Sequence, residues 1–196
     1  MKTLWKFLAV SSGILIAASW MRLGYDFQPK KILLADFGKT PDFILTDSQA
    51  KEFTSQALRG KVWVTDFIFT TCAGICPTMS KNMSSLYQSF LSDKRVEFVS
   101  ISVNPTNDSP QVLTEYAKRY KADPSKWHFL TGKIETIEAI MAKGFKIGSA
   151  ESPAMHSGYF VLVDKKGQIR GYYDGMDKDR IRQLLLDIAA LTKEKI

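Results

Sequence analysis

The only two cysteines of this chain form a C-x3-C pair, Cys72 and Cys76, which is followed directly by Pro77. Residues 62–69 before the pair are mostly β-branched and aromatic, which predicts a buried strand, and the apolar residues after it recur with helical spacing. The thiols therefore stand between a strand and a helix, where α/β sheets place their functional groups. A helix N-terminus stabilises negative charge, so we expect it to lower the pKa of a thiol there and to favour the thiolate.

Three kinds of chemistry fit this pair of cysteines. It can be a structural disulfide, which is common in exported proteins, or two inert buried thiols. It can be a redox pair, in which one thiolate attacks a partner and the other resolves the mixed disulfide, although the usual spacing for that task is C-x-x-C. It can also be a soft-metal site, because two thiolates and one imidazole suit Cu(I). The spacing alone leaves all three open.

The elements that must position the thiols follow a regular order. Two short strands come first, then strand and helix alternate three times, and a β-hairpin and an amphipathic helix close the chain. Alternation of strand and helix implies parallel crossovers, and a hairpin adds antiparallel strands to the same sheet. We therefore predict an α/β domain with a mixed central sheet and helices on both faces, which is a thioredoxin-like fold. The predicted strands are residues 43–45, 52–54, 62–69, 96–103, 127–130, 159–163 and 169–173, and the predicted helices are residues 79–91, a helix that begins at Ser109 and Pro110, residues 134–143 and residues 177–191.

A third metal ligand has to come from one of the two histidines. His156 shortly precedes the predicted strand at 159–163, and in a thioredoxin-like topology that loop lies beside the N-terminus of the first long helix. His128 stands inside the apolar strand at 127–130, where a core or edge histidine with a satisfied hydrogen bond is the ordinary outcome. We therefore expect His156, and not His128, to join the two thiols at a metal site.

Other side chains near the thiols have less specific roles. Met79 and Met83 fit the apolar stripe of the helix after the cysteines, so core packing is expected for both, while Met155 is open between a soft donor and a packing residue. Asp66, inside the strand before the cysteines, is either a partly buried carboxylate near the thiols or a solvated residue at the strand edge. The sequence contains none of the common phosphate-binding, zinc-protease or serine-hydrolase motifs.

Length, cysteine number and charge limit the class of protein. The chain has 196 residues, which is one domain of ordinary size, and two cysteines exclude a disulfide scaffold, a four-cysteine zinc module and a self-sufficient iron–sulfur protein. The formal net charge is +7, but residues 1–31 carry five basic residues and one acidic residue, which is +4 and leaves only +3 for the remaining chain. A nucleic-acid-binding protein concentrates Lys and Arg in its folded part, so we expect no nucleic-acid partner.

The N-terminus has the layout of a membrane-targeting segment. Residues 7–21 contain no charged residue and are mostly apolar, with Lys2 and Lys6 before them and Arg22 after them. Such a segment is an uncleaved anchor, a cleaved signal peptide or, less in keeping with its basic flanks, a buried core helix. With either targeting role the following chain lies outside the cytoplasm.

These observations predict the domain organisation and the location. We predict an anchor or signal segment at 1–24, a linker at 25–40 and the thioredoxin-like domain at 41–196. The protein is then anchored in the membrane and faces the periplasm or another extracytoplasmic space, with a cleaved, secreted form as the alternative.

Three segments of the sequence resemble one known family. Residues 62–77, VWVTDFIFTTCAGICP, resemble its strand followed by T-x-C-x-x-x-C-P; residues 99–110, VSISVNPTNDSP, resemble its S-V-D-P-x-x-D-T-P block; and residues 156–175, HSGYFVLVDKKGQIRGYYDG, resemble its H-S block that ends in Y-x-G. The chain is thereby similar, over residues 40–192, to the Sco/SenC family, the copper chaperones of cytochrome c oxidase assembly. Two positions depart from the family pattern: Asn104 stands in place of the Asp of S-V-D-P, and Met155 stands where an Asp often precedes the histidine.

The resemblance implies a copper site and a task. The two motif cysteines and the motif histidine are the copper ligands of the family, which implies Cys72, Cys76 and His156 as ligands here for Cu(I), Cu(II) or both. The implied task is to deliver copper to, or to reduce the cysteines of, the dinuclear copper site in subunit 2 of cytochrome c oxidase or in a related copper enzyme. Cys72 and Cys76 would form a disulfide when oxidised, and a thioredoxin-like membrane reductase would then be the electron donor.

The rival interpretation is an enzyme, an exported thiol–disulfide oxidoreductase that uses Cys72 and Cys76 as its redox pair. The leading interpretation is a metallochaperone, whose function is binding, with thiol–disulfide reductase activity as an addition to it. His156 separates the two, because a reductase does not require this histidine.

Overall fold

A computed structural model describes residues 34–147 and 158–195 of the chain. The strands are β1 Ile44–Asp47, β2 Glu52–Thr54, β3 Val62–Ile68, β4 Val96–Ser102, β5 Trp127–Thr131, β6 Tyr159–Val163 and β7 Ile169–Asp174. The helices are α1 Cys76–Ser89, α2 Pro110–Arg119, α3 Ile134–Ala139 and α4 Lys178–Lys193, with a 3-10 turn at Ser55–Leu58 and a π-helical turn at Ile140–Gly144. Every strand and helix predicted from residue 41 onward is present, with small shifts at the ends.

The strands of the described residues form one mixed sheet in the order β2-β1-β5-β4-β3-β6-β7. β3 pairs in parallel with β4 along its whole length, from Val62 opposite Val96 to Ile68 opposite Ser102, and β4 pairs in parallel with β5. The remaining neighbours are antiparallel. The predicted mixed sheet, with a hairpin added to a parallel centre, is confirmed.

Alternation along β3 divides the core into two layers, because successive side chains of a strand point to opposite faces. Val62, Val64 and Ile68 pack with α1, α2 and α4 on one face, whereas Trp63 and Phe67 pack on the other face with α3 and the β1–β2 hairpin. All five side chains are at most 2% exposed. The strand is held from both sides, so the loop that follows it starts from a fixed position.

Local sequence signals decide where the helices begin. Ser109 caps α2 as predicted, since its Oγ accepts a hydrogen bond from the Val112 amide at 3.4 Å and Pro110 follows it as the first helical residue. α1 begins at Cys76, before the apolar helical spacing that starts at residue 79, and Pro77 is accommodated in its first turn because no hydrogen-bond donor is needed there. Cys76 therefore belongs to the helix.

Residues 34–40, the end of the predicted linker, run along β7. The Phe37 amide donates to the Ile169 carbonyl at 2.9 Å, and the Arg170 guanidinium donates to the carbonyls of Leu34 and Ala35. The predicted anchor or signal segment at 1–24 lies outside the described residues. None of the helices within 34–147 and 158–195 combines the length and the apolar character needed to cross a bilayer.

Candidate dithiol and metal site

The cysteine loop, residues 69–75, connects the end of β3 to the start of α1. It turns sharply, because the Cys72 amide donates a hydrogen bond to the Phe69 carbonyl at 3.2 Å. Cys72 retains 9% of its exposure, and Cys76, in the first turn of α1, retains none. Solvent therefore reaches the pair through Cys72.

Both cysteines are thiols, and their side chains hydrogen-bond to each other. Burial raises the pKa of the Cys76 thiol to about 12, and the charges of Cys72 and Asp66 act in the same direction. Burial also works to raise the pKa of Cys72, but hydrogen bonds from the Cys76 amide and side chain and from the amides of Gly74 and Ile75 lower it below its ordinary value. Cys72 is therefore the readily ionised member of the pair, and Cys76 holds its proton.

The expectation of a lowered thiol pKa at the helix N-terminus is right for Cys72 and wrong for Cys76. The difference is hydration: a thiolate on Cys76 would lie in the closed interior, where the charged form is disfavoured. Backbone amides of the loop converge instead on Cys72. The spacing of the two cysteines carries no information on which of them is the more buried.

Asp66 is completely buried on the α1 face of β3, in the same alternation as Val64. Its Oδ1 accepts a hydrogen bond from the Ser100 hydroxyl at 2.6 Å, and the Trp127 indole donates to that hydroxyl at 3.0 Å. Its Oδ2 has no hydrogen-bond partner within the described structure. Burial raises the pKa of this carboxyl to about 7. Of the two interpretations left open, the buried carboxylate is right and the solvated strand edge is wrong.

The strands β6 and β7 bring a second segment against the cysteine loop. A side-chain carbon added at Gly158, just before β6, would lie 3.5 Å from the Ile75 Cδ1, and one at Gly175, just after β7, would lie 3.0 Å from the Met79 Cε. The Gly175 amide donates to the Gly158 carbonyl at 2.7 Å, which joins the two strand ends. These contacts place the start of β6 beside the residue that precedes Cys76.

His156 and Met155 lie outside the described residues. Gly158, the first described residue after this gap, follows His156 by two positions in the sequence. Among residues 34–147 and 158–195, no group of three or more His, Cys, Asp and Glu side chains is arranged to hold a metal ion. The assignment of His156 as the third ligand stays a prediction.

His128 behaves as the core histidine that its strand predicts. Its Nε2 lies 3.3 Å from the Glu97 Oε2, and its ring centroid lies 4.6 Å from that of Phe53. Phe53 belongs to the core layer opposite the one that contains α1. His128 is therefore on the other side of the sheet from the thiols. The predicted core packing of Met79 and Met83 is confirmed, since both are fully buried.

The buried strand, the cysteine loop and the helix that begins at Cys76 define a thioredoxin-like domain with a C-x3-C dithiol at the start of its first long helix. The chain belongs to the SCO1/SenC family, whose model matches residues 35–193. It is 31% identical over 159 residues to the SCO1 protein homolog of Bacillus subtilis strain 168, an alignment that covers 78% of this chain and 82% of that protein. The predicted family membership is confirmed.

Solved structures of Sco proteins share this fold. BsSco, a member of the Sco family of cytochrome c oxidase assembly proteins in which a disulfide switch was identified, is 30% identical, with a TM-score of 0.71 over 83% of this chain and 99% of that chain. The structure of Bradyrhizobium japonicum ScoI with copper bound is 21% identical, with a TM-score of 0.64 over 79% of this chain and 99% of that chain. At that identity the likeness shows the fold.

The difference between the two thiols predicts their order of reaction. Brief treatment of the reduced protein with iodoacetamide at pH 8 should alkylate Cys72 faster than Cys76 by on the order of tenfold or more, because the thiolate fraction changes tenfold for each pKa unit and, of the two, Cys72 alone retains some solvent exposure. Peptide mass spectrometry over a time course measures both rates. The Cys76→Ser variant is the control and should keep a reactive Cys72. Faster labelling of Cys76 would contradict the assignment.

The buried Asp66 carboxyl predicts a pH-dependent stability. Its pKa is raised from 3.8 to about 7 in the folded protein, so the stability that it contributes is complete below about pH 4 and is lost as the pH rises to 7. Over that range the wild type should lose about 1.4 kcal/mol per pH unit relative to Asp66→Asn, which has no proton to release. Urea unfolding of both reduced proteins from pH 4.5 to 8 measures this difference. Parallel stability curves would show that Asp66 does not titrate in this window.

Proposed function

We propose that this protein is an extracytoplasmic copper chaperone that uses Cys72, Cys76 and His156 to carry copper to the dinuclear copper site of cytochrome c oxidase or a related copper enzyme. The observation that carries the proposal is the close approach of Gly158 to Ile75: a side-chain carbon added at Gly158 would lie 3.5 Å from the Ile75 Cδ1, so the strand that follows His156 in the sequence starts beside the residue before Cys76. Family membership supports the same conclusion.

The donor set suits copper as the cargo. Two thiolates and one imidazole are soft and borderline ligands, which favour Cu(I) over the four-ligand tetrahedral site that structural zinc requires. His156 stands two residues before Gly158 in the sequence, and two residues of chain span at most about 7 Å, so the choice of His156 as third ligand is consistent with the close approach of Gly158 to Ile75. His128, on the opposite face of the sheet, is not a competitor for this position.

The proposal includes a location outside the cytoplasm and an electron donor for the thiol pair. The basic-flanked apolar segment at 1–24 would hold the domain at the outer face of the membrane, in a space that is generally oxidising. A disulfide between Cys72 and Cys76 would remove two of the three copper ligands together. The chaperone therefore needs a thioredoxin-like membrane reductase to return the pair to the dithiol before copper binds.

A second candidate function is reduction of a disulfide in the copper subunit of the oxidase, and the unequal thiols favour it. The Cys72 thiolate would attack a partner disulfide and release one partner thiolate, forming a mixed disulfide. Cys76 would then give up its proton and attack the Cys72 sulfur, which releases the second partner thiolate and leaves a Cys72–Cys76 disulfide. Two electrons pass to the partner, and copper takes no part.

Copper stoichiometry tests the ligand assignment. The reduced wild type should bind one Cu(I) per chain, Cys72→Ser or Cys76→Ser should lose tight binding, and His156→Ala should weaken it by at least tenfold, which is about 1.4 kcal/mol. Competition with a chromophoric Cu(I) chelator measures the affinities. The matched control is His128→Ala, which should bind like the wild type. Equal losses from the two histidine variants would reject His156 as the ligand.

Oxidase activity in cells separates the two candidate functions. Cells that carry His156→Ala should assemble an active oxidase only when copper is added, because the variant keeps both thiols but lacks the third ligand. The Cys72→Ser strain, which has neither function, sets the lower limit, and activity is measured as oxygen uptake with reduced cytochrome c. Full activity of His156→Ala at low copper would leave the reductase function and reject the chaperone.

A further inference from the structure

Asp108 is a completely buried carboxylate that joins the cysteine loop to the loop between β4 and α2. Its Oδ2 accepts a hydrogen bond from the Thr70 amide at 3.0 Å, and its Oδ1 accepts one from the Thr70 hydroxyl at 2.5 Å. Thr70 stands two residues before Cys72. One side chain thus fixes both the backbone and the side chain at the entrance of the cysteine loop.

The loop that carries Asp108 is itself held by hydrogen bonds. The Ser102 hydroxyl donates to the Asp108 Oδ2 at 2.6 Å and accepts from the Asn104 amide at 3.1 Å. The Asp108 amide donates to the Asn104 carbonyl at 2.9 Å, which closes a turn. The carboxylate therefore links the cysteine loop to the loop between β4 and α2 through hydrogen bonds.

Burying the Asp108 carboxyl lowers the stability of the fold unless its hydrogen bonds compensate for the loss of water. Burying a carboxylate is unfavourable when it is not well paired, and the ion pairs formed among residues 34–147 and 158–195 do not include Asp108. Its three hydrogen bonds all come from neutral donors. Two of them come from Thr70, which stands two residues before Cys72.

We propose that Asp108 is a positioning residue for the thiol pair: through Thr70 it holds the cysteine loop so that the Cys72 sulfur stays next to the Cys76 sulfur. The proposal rests on the proposed use of these thiols as a reversible redox and copper-binding pair. The helix fixes Cys76, and the Asp108–Thr70 contact fixes the other end of the loop. Without this contact the Cys72 sulfur explores more positions, and both the disulfide and the copper complex become less stable.

The disulfide equilibrium tests the proposal without copper. Full-length protein in detergent is equilibrated with mixtures of reduced and oxidised dithiothreitol, where the protein dithiol gives two electrons and two protons to the dithiothreitol disulfide and becomes the Cys72–Cys76 disulfide. Asp108→Asn cannot accept at both oxygens, so the equilibrium constant for protein disulfide formation should fall about tenfold, which is ~30 mV for a two-electron couple. Trapping the thiols and resolving the two forms by mass gives the constant.

The matched control is a second buried carboxylate. Asp187, 2% exposed, accepts hydrogen bonds from the Tyr173 hydroxyl at 2.7 Å and from the Gln183 amide at 2.9 Å, and none of these residues belongs to the cysteine loop. Asp187→Asn should lower the free energy of unfolding as a merely structural residue does, and leave the disulfide equilibrium within twofold of the wild type. An equal shift in both variants, or no shift in Asp108→Asn, would overturn the proposal.

Thr70 variants decide the matter if Asp108→Asn does not fold. Thr70→Val keeps the shape of the side chain but removes the hydrogen bond from its hydroxyl, so it should shift the disulfide equilibrium in the same direction as Asp108→Asn. Thr70→Ser keeps the hydroxyl and should have the wild-type equilibrium. A normal disulfide equilibrium in Thr70→Val would count against the proposal. Failure of the wild type to bind copper would reject the chaperone function alone, because the redox measurement does not depend on it.

Discussion

The parallel pairing of β3 with β4 is the constraint on which the site depends. Seven consecutive pairs, ending with Ile68 opposite Ser102, bring both strands to an end at the same level of the sheet. Because parallel strands present their carboxyl ends on one edge, the loops that follow them leave side by side. One loop carries the cysteines and the other carries Asp108, so contact between them follows from the register. The antiparallel β6 returns to the same edge and starts next to Ile75.

Much of this fold is predictable from local patterns, since strand alternation, the Ser109 cap and the hairpin turn are each decided by a few neighbouring residues. The strand–loop–helix position of the cysteines follows from the same patterns. The sequence is less informative about how deeply a polar side chain is buried. Asp66 shares the alternation of Val64 and could have been assigned to the interior on that basis, but a carboxylate is rarely placed there without a partner, and its partner Ser100 lies on another strand.

Asp108 shows the same limit more strongly. Its partner Thr70 is 38 residues away, and no local pattern joins the two positions. The unequal burial of the two thiols also depends on the packing of α1 against the sheet, which C-x3-C spacing does not encode. The chemistry of the pair is thus set by tertiary contacts: loop amides favour charge on Cys72, while the apolar interior keeps Cys76 protonated.

The complete burial of Cys76 beside a slightly exposed Cys72 has a consequence for any exchange with another molecule. An incoming ligand or thiol meets the Cys72 sulfur first, and only the opening of that contact gives access to the sulfur behind it. Any transfer through this site would therefore involve the two sulfurs in sequence, with Cys72 first. In such a transfer Cys72 would be the sulfur shared with the partner in the bridged intermediate, and Cys76 would release its ligand last.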